Sequence, residues 1–104
     1  MKEDIARRWI EELRSGKHRQ AKGCMRDAFG AMCCLGVLEF EVLKLEDSKA
    51  SAVLSLDAVR LAGLQNIDAL ITSPEIDFHL PSLNDSAMTF PAIADLIEKL
   101  WPQL

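Results

Sequence analysis

Residues Arg14 to Leu38, RSGKHRQAKGCMRDAFGAMCCLGVL, decide how this chain is read. The stretch holds all three cysteines and four of the five glycines, and from Arg14 to Arg26 it carries five bases and no acid. On either side of it the apolar spacing is helical. Inside, Lys17 to Ala31 is too glycine-rich and too polar for a helix. It reads as an irregular β-hairpin, with one arm His18 to Met25, the other around Ala31-Met32, and Asp27 to Gly30 turning between them. In an extended first arm, Lys22 shares a face with the even-numbered residues and Arg19 lies on the other.

Upstream, Ile5, Trp9, Ile10 and Leu13 recur at helical spacing and predict a helix from Glu3 to Leu13. Acids at its start, Arg14 at its end and Gly16 as a left-handed cap agree with that reading. Trp9 is expected as a core anchor. Downstream, Leu35, Leu38, Val42 and Leu45 predict a second, more apolar helix from Cys33 to about Leu45. Gly36 inside it costs about 1 kcal/mol relative to alanine, so close packing against another element is expected there.

Glu46 to Ser55, EDSKASAVLS, is a connector of small and polar residues. Leu56 to Ala62 predicts a short helix capped by Ser55 or Asp57 and ended by Gly63. Ile67, Leu70 and Ile71 suggest a buried turn or short strand, and Pro74 and Pro81 exclude a long helix through them. Asn84-Asp85 reads as a turn. The last helix starts at the cap Thr89, takes Pro91 in its first turn, and buries Ile93, Leu96, Ile97, Leu100 and Trp101 up to Pro102. The sum is one α+β domain over residues 1–104, mainly helical, with a short β-hairpin between the first two long helices.

Of 104 residues, 49% are hydrophobic, enough for one core that buries roughly two-thirds of the unfolded surface. No apolar run approaches the ~20 residues that span a bilayer. MKEDIARRW also lacks the apolar core of a leader, so a cytoplasmic protein without membrane contact is expected. Three cysteines, an odd number, suit free thiols in a reducing compartment.

Little in the chain suits catalysis or metal binding. Cys24, Cys33, Cys34 and His18 lack the C-x2-4-C spacing that turns two thiolates on one zinc ion, so no metal is expected. A helix starting at Cys33 would favour its thiolate, and His18 and His79 are the only histidines that could serve it as base. There is no C-x-x-C motif and no acid placed to complete a triad. The pairs Glu11-Glu12, Glu39/Glu41 and Asp77/His79 are compatible with hydrolytic chemistry and equally with solvated faces, and nothing in their spacing favours the former. No phosphate-cradling glycine loop is present, so no cofactor and no enzyme activity are expected. LNDSAMTFPAIADLIEKLW looks like the front half of a helix-turn-helix, but no recognition helix follows it within the chain.

Charge is the strongest chemical feature. Residues 1–26 carry eight bases against four acids, and the rest of the chain four bases against twelve acids, which makes a dipole within a net charge of −4. The basic residues Arg14, Lys17, Arg19, Lys22 and Arg26 form the candidate binding surface. Its occupants are an acidic protein surface or, in the alternative, nucleic acid or a nucleotide phosphate. The segment from Arg14 to Arg26 has no stacking aromatic, and an acidic chain is an unusual nucleic-acid binder. Trp9, Trp101 and the apolar second helix also suit a homodimer seam.

Trp9, Leu13 to Lys17, Gln20, Lys22-Gly23 and Arg26 form W-x3-LRSGK-x2-Q-x-KG-x2-R. This pattern resembles the opening of a family of small proteins encoded in bacteriophage and prophage genomes. The block Cys33 to Leu38, CCLGVL, is similar to that family's signature. So is the ending, Leu83-Asn84-Asp85, Thr89-Phe90 and Ile93 to Glu98. The chain departs from the family at Phe29-Gly30 and at Glu39-Phe40. The resemblance brings no activity with it. It implies a phage or prophage setting in a bacterial host cell, and hence a small binding protein that modulates a host or phage component.

Overall fold

The computed structural model describes residues 1–45, 54–67, 70–72, 77–86 and 88–104. Helix α1 runs Glu3–Arg14 and buries Ile5, Ala6, Trp9, Ile10 and Leu13, the stripe its spacing predicts. Gly16 beyond it adopts φ +75°, the left-handed turn that ends the helix. Trp9 is fully buried, and its indole N–H donates to the Cys34 carbonyl at 2.9 Å. That bond satisfies the one polar atom of a large apolar side chain and joins α1 to the start of the second helix.

The second helix is shorter and wider than expected. It opens as α2, Cys34–Gly36, and continues as a π-helix over Val37–Val42. Its backbone bonds skip five residues, as from Leu43 N–H to the Leu38 carbonyl at 2.9 Å. Leu45 therefore lies past the helix end. Glu39 instead turns inward and is buried, with its carboxylate accepting from the Ser55 amide at 2.7 Å. Arg8 donates to the Val42 carbonyl at 2.6 Å and so ties α1 to the free end of the π-helix. Gly36 meets the close packing its position suggested. A Cβ there would collide with the Met25 carbonyl oxygen and stand 3.2 Å from Met32 Cβ.

Helix α3, Leu56–Ala62, has the predicted ends. The Ser55 hydroxyl accepts from Ala58 N–H, and Gly63 closes it at φ +70°. Helix α5, Phe90–Leu100, is capped by Thr89, carries Pro91 in its first turn and continues into a 3₁₀ turn, Trp101–Gln103. It packs along α1, which also touches the π-helix. Between these helices Leu13, Leu35, Leu38, Leu80, Ile93, Ile97 and Leu104 are buried as one core.

Two expectations are overturned. The first is the fold class: the chain is mainly helical rather than α+β, and no β-hairpin joins the first two helices. Residues 17 to 33 make two isolated bridges, Gln20 to Met32 and Arg26 to Met32, and no ladder. The reason is Gly23, which turns the chain at φ +74° in the middle of the supposed arm. Both passes then bond to the one residue, Met32, and its neighbours. Outside this region, Leu70–Thr72 (β1) and Asp77–His79 (β2) pair antiparallel over three residues each, a local contact and no sheet layer. The second is the turn at Asn84-Asp85, which belongs instead to a helix, α4, Leu80–Asp85, with Pro81 in its first turn. Most of the connector expected at Glu46 to Ser55, and Pro74, lie outside the described residues.

Candidate functional site

The loop between α1 and α2 is held from beneath by side chains more than sixty positions away. Asn84 is fully buried and uses both ends of its amide. Its Oδ1 accepts from Gln20 Nε2 at 2.8 Å and from the Cys34 amide at 3.2 Å, and its Nδ2 donates to the Ala21 carbonyl at 2.7 Å. Gln20 Nε2 donates also to the Met88 carbonyl at 2.7 Å, and Asp85 Oδ1 accepts from the Gly23 amide at 2.8 Å. A buried amide with its bonding capacity met fixes its neighbours, because any shift would leave a polar group unpaired. The start of the loop is tied to α1, where Glu12 Oε2 and His18 Nε2 lie 2.7 Å apart. That bond, together with the nearby Lys17 charge, holds the Glu12 carboxyl below its ordinary range.

The five bases are all exposed and differ in what they touch. Arg14 is turned onto α5, with its guanidinium 2.7 Å from both Asp95 and Glu98. Arg26 stacks over the Phe40 ring, 4.2 Å from its centroid. Arg19 donates to the Phe29 carbonyl at 3.2 Å with its side chain exposed. Lys17 and Lys22 are exposed, and neither forms an ion pair among the described residues. Lys17, Arg19, Lys22 and Arg26 are therefore exposed cations without an ion pair among the described residues, while the Arg14 charge is met by α5.

Two residues that shape the loop escaped sequence reading. Asn84 looked like a turn residue, and nothing local marks its reach to Gln20. Phe29 is 82% exposed at the tip of the Asp27–Gly30 turn. Its signal was a large apolar residue inside a segment that reads as a turn, since turns run over the surface.

Cys33 and Cys34 are buried and Cys24 is half-buried, all as free thiols. Burial pushes the Cys33 and Cys34 thiols up, Cys34 the further of the two. A thiol so placed is a weak nucleophile at neutral pH. Among the described residues no group of three or more His, Cys, Asp or Glu side chains is gathered for a metal ion. An open groove of about 1050 Å³ runs beside α1 and the end of α5, floored by Ile10 and Trp101. Its rim mixes Arg7, Arg14 and Lys17 with Glu11, Glu12 and Glu98, so it presents no net field to a charged ligand. No described helix is long and apolar enough to cross a membrane.

The architecture is that of a small helical domain displaying a clamped, cation-bearing loop. Residues 1–62 match the family described as a domain of unknown function, DUF8296, and the chain belongs to that family. No curated protein and no solved structure matches the chain. The matched span takes in α1, the loop, the π-helix and α3. Asn84 and Asp85, which clamp the loop, lie beyond it.

Proposed function

We propose that this is a non-enzymatic binding protein of phage or prophage origin that modulates a host or phage protein in the bacterial cytoplasm through its basic loop. The observation that carries this reading is the clamp. Asn84 and Asp85 hold the backbone at Ala21 and Gly23, while the neighbouring Lys22 and Arg19 side chains point to water. A pre-organised loop loses less entropy on binding than a slack one, so its few contacts contribute more. The buried thiols and the neutral groove support a role without chemistry.

Capture from a bacterial lysate tests the reading. Wild-type protein is expected to retain a partner that the Arg19→Glu/Lys22→Glu variant loses, and an unchanged set of partners defeats the proposal. The alternative, phosphate or nucleic-acid recognition, would show as affinity that falls steeply with salt, since each released counterion adds to the slope. With Arg14 paired to Asp95 and Glu98, four exposed loop cations remain, and they support at most a modest slope.

A further inference from the structure

Phe29 is the most exposed large hydrophobic side chain among the described residues, and its backbone is among the most tightly held of the loop. The Asp27 carboxylate accepts from the Phe29 amide at 2.8 Å and from the Ala31 amide at 3.0 Å. Asp27 N–H donates to the Ala31 carbonyl at 2.8 Å, and Gly30 N–H to the Asp27 carbonyl at 3.2 Å, with Gly30 at φ +85°. Arg19 closes the turn from outside through the Phe29 carbonyl. Ala31, Met32 and Cys33 then descend straight into the core. The fold thus places an aromatic ring in water on a fixed pedestal, a cost that burial against its own chain would remove.

We propose that Phe29 is the anchor of the binding loop, seated in an apolar cleft of a partner protein whose rim carries carboxylates facing Arg19. This rests on the binding reading above and names the residue on which it turns. An aromatic held in one place with an arginine at its side has the composition of an interface hot spot. Charge selects the partner. Asp27 keeps its charge at the turn, but residues 14–31 carry five bases against that one acid, so the loop around Phe29 is cationic. A nucleic-acid strand would instead need aromatics spaced along the basic run to stack its bases, and Arg14 to Arg26 has none.

The test is a displayed library of random peptides selected on the immobilised full chain. Enriched peptides are then titrated against wild type, Phe29→Ser and Arg19→Glu/Lys22→Glu, with an oligothymidylate as a second probe. Because the ring touches no core, Phe29→Ser is expected to melt with wild type. It should bind the enriched peptides at least about 30-fold more weakly. Those peptides should pair Asp or Glu with large apolar residues and shift the amide resonances of residues 27–31. Peptides that bind Phe29→Ser as well as wild type, yet are lost by the charge reversal, would overturn the anchor and leave the basic loop standing. Peptides indifferent to both variants, or no enrichment at all, would remove the loop itself as a binding surface. Oligothymidylate binding that depends on Phe29 would reassign the ring to base stacking, and a dimer abolished by Phe29→Ser would reassign it to a second copy. Either result overturns the proposal.

Discussion

Asn84 replaced by leucine keeps the number and branching of the side-chain heavy atoms but removes the three hydrogen bonds its amide makes to Gln20, Ala21 and Cys34. The Ala21 carbonyl, the Cys34 amide and one bond of Gln20 would be left without their partner. An unpaired buried polar group costs about 1–3 kcal/mol. We expect Asn84→Leu to lose about 3 kcal/mol in a urea titration and to lose protection of the amides around Ala21 and Gly23 in hydrogen exchange. A loss below about 1 kcal/mol would mean that the clamp is ornamental. The same scale explains what sequence reading missed. Gln20 and Asn84 lie 64 positions apart, so no local pattern shows that one amide will satisfy both the loop and the next helix. Charge is legible in a string of letters and its partner is not. Arg14 reads as a free base until Asp95 and Glu98 appear beside it.

Among the elements, those with local signals were legible. Ser55 and Gly63 bracket α3, Thr89 opens α5, and the apolar stripe of α1 spells out its buried face. The loop was not, because a run of glycines and bases suits a hairpin as well as an irregular crossing, and distant side chains decide between them. The π-helix was not legible either. Its apolar residues fit ordinary helical spacing until the winding widens and brings Glu39 inside. Past its end Lys44 adopts φ +55°, which favours glycine. Its ion pair with Glu41, at 3.7 Å and largely exposed, is weak compensation. Lys44→Gly is therefore expected to raise stability by up to about 1 kcal/mol, after the entropy glycine loses on folding is allowed for. A fall in the denaturation midpoint would refute this.

For the whole molecule, stability should decline toward both ends of the pH scale for separate reasons. Glu12 has its folded pKa depressed by His18. Its contribution is therefore present above the ordinary value of 4.5 and lost as pH falls through the lower folded value. Cys33 and Cys34 are raised, so the unfolded chain ionises them first. Stability is whole below about 9.0 and falls as pH climbs above it. Cys34→Ala should flatten the alkaline limb and leave the acid limb alone, as measured by chemical denaturation across pH. At neutral pH an aromatic disulfide reagent should label Cys24 in the native protein and reach Cys33 and Cys34 only on unfolding.

The wide winding of Val37–Val42 has a bearing on how the chain tolerates change in length. One end is moored by Asn84 at Cys34 and the other by Arg8 at Val42, so the spiral between them holds one residue more than a tight coil over the same span needs. Excising Glu41 should let the coil rewind between fixed moorings, with most of the melting temperature retained. The same excision at Glu11 would rotate everything after it by about 100° and pull Leu13 off the core. Slack of this kind is where a lineage can gain or lose a residue without losing the protein.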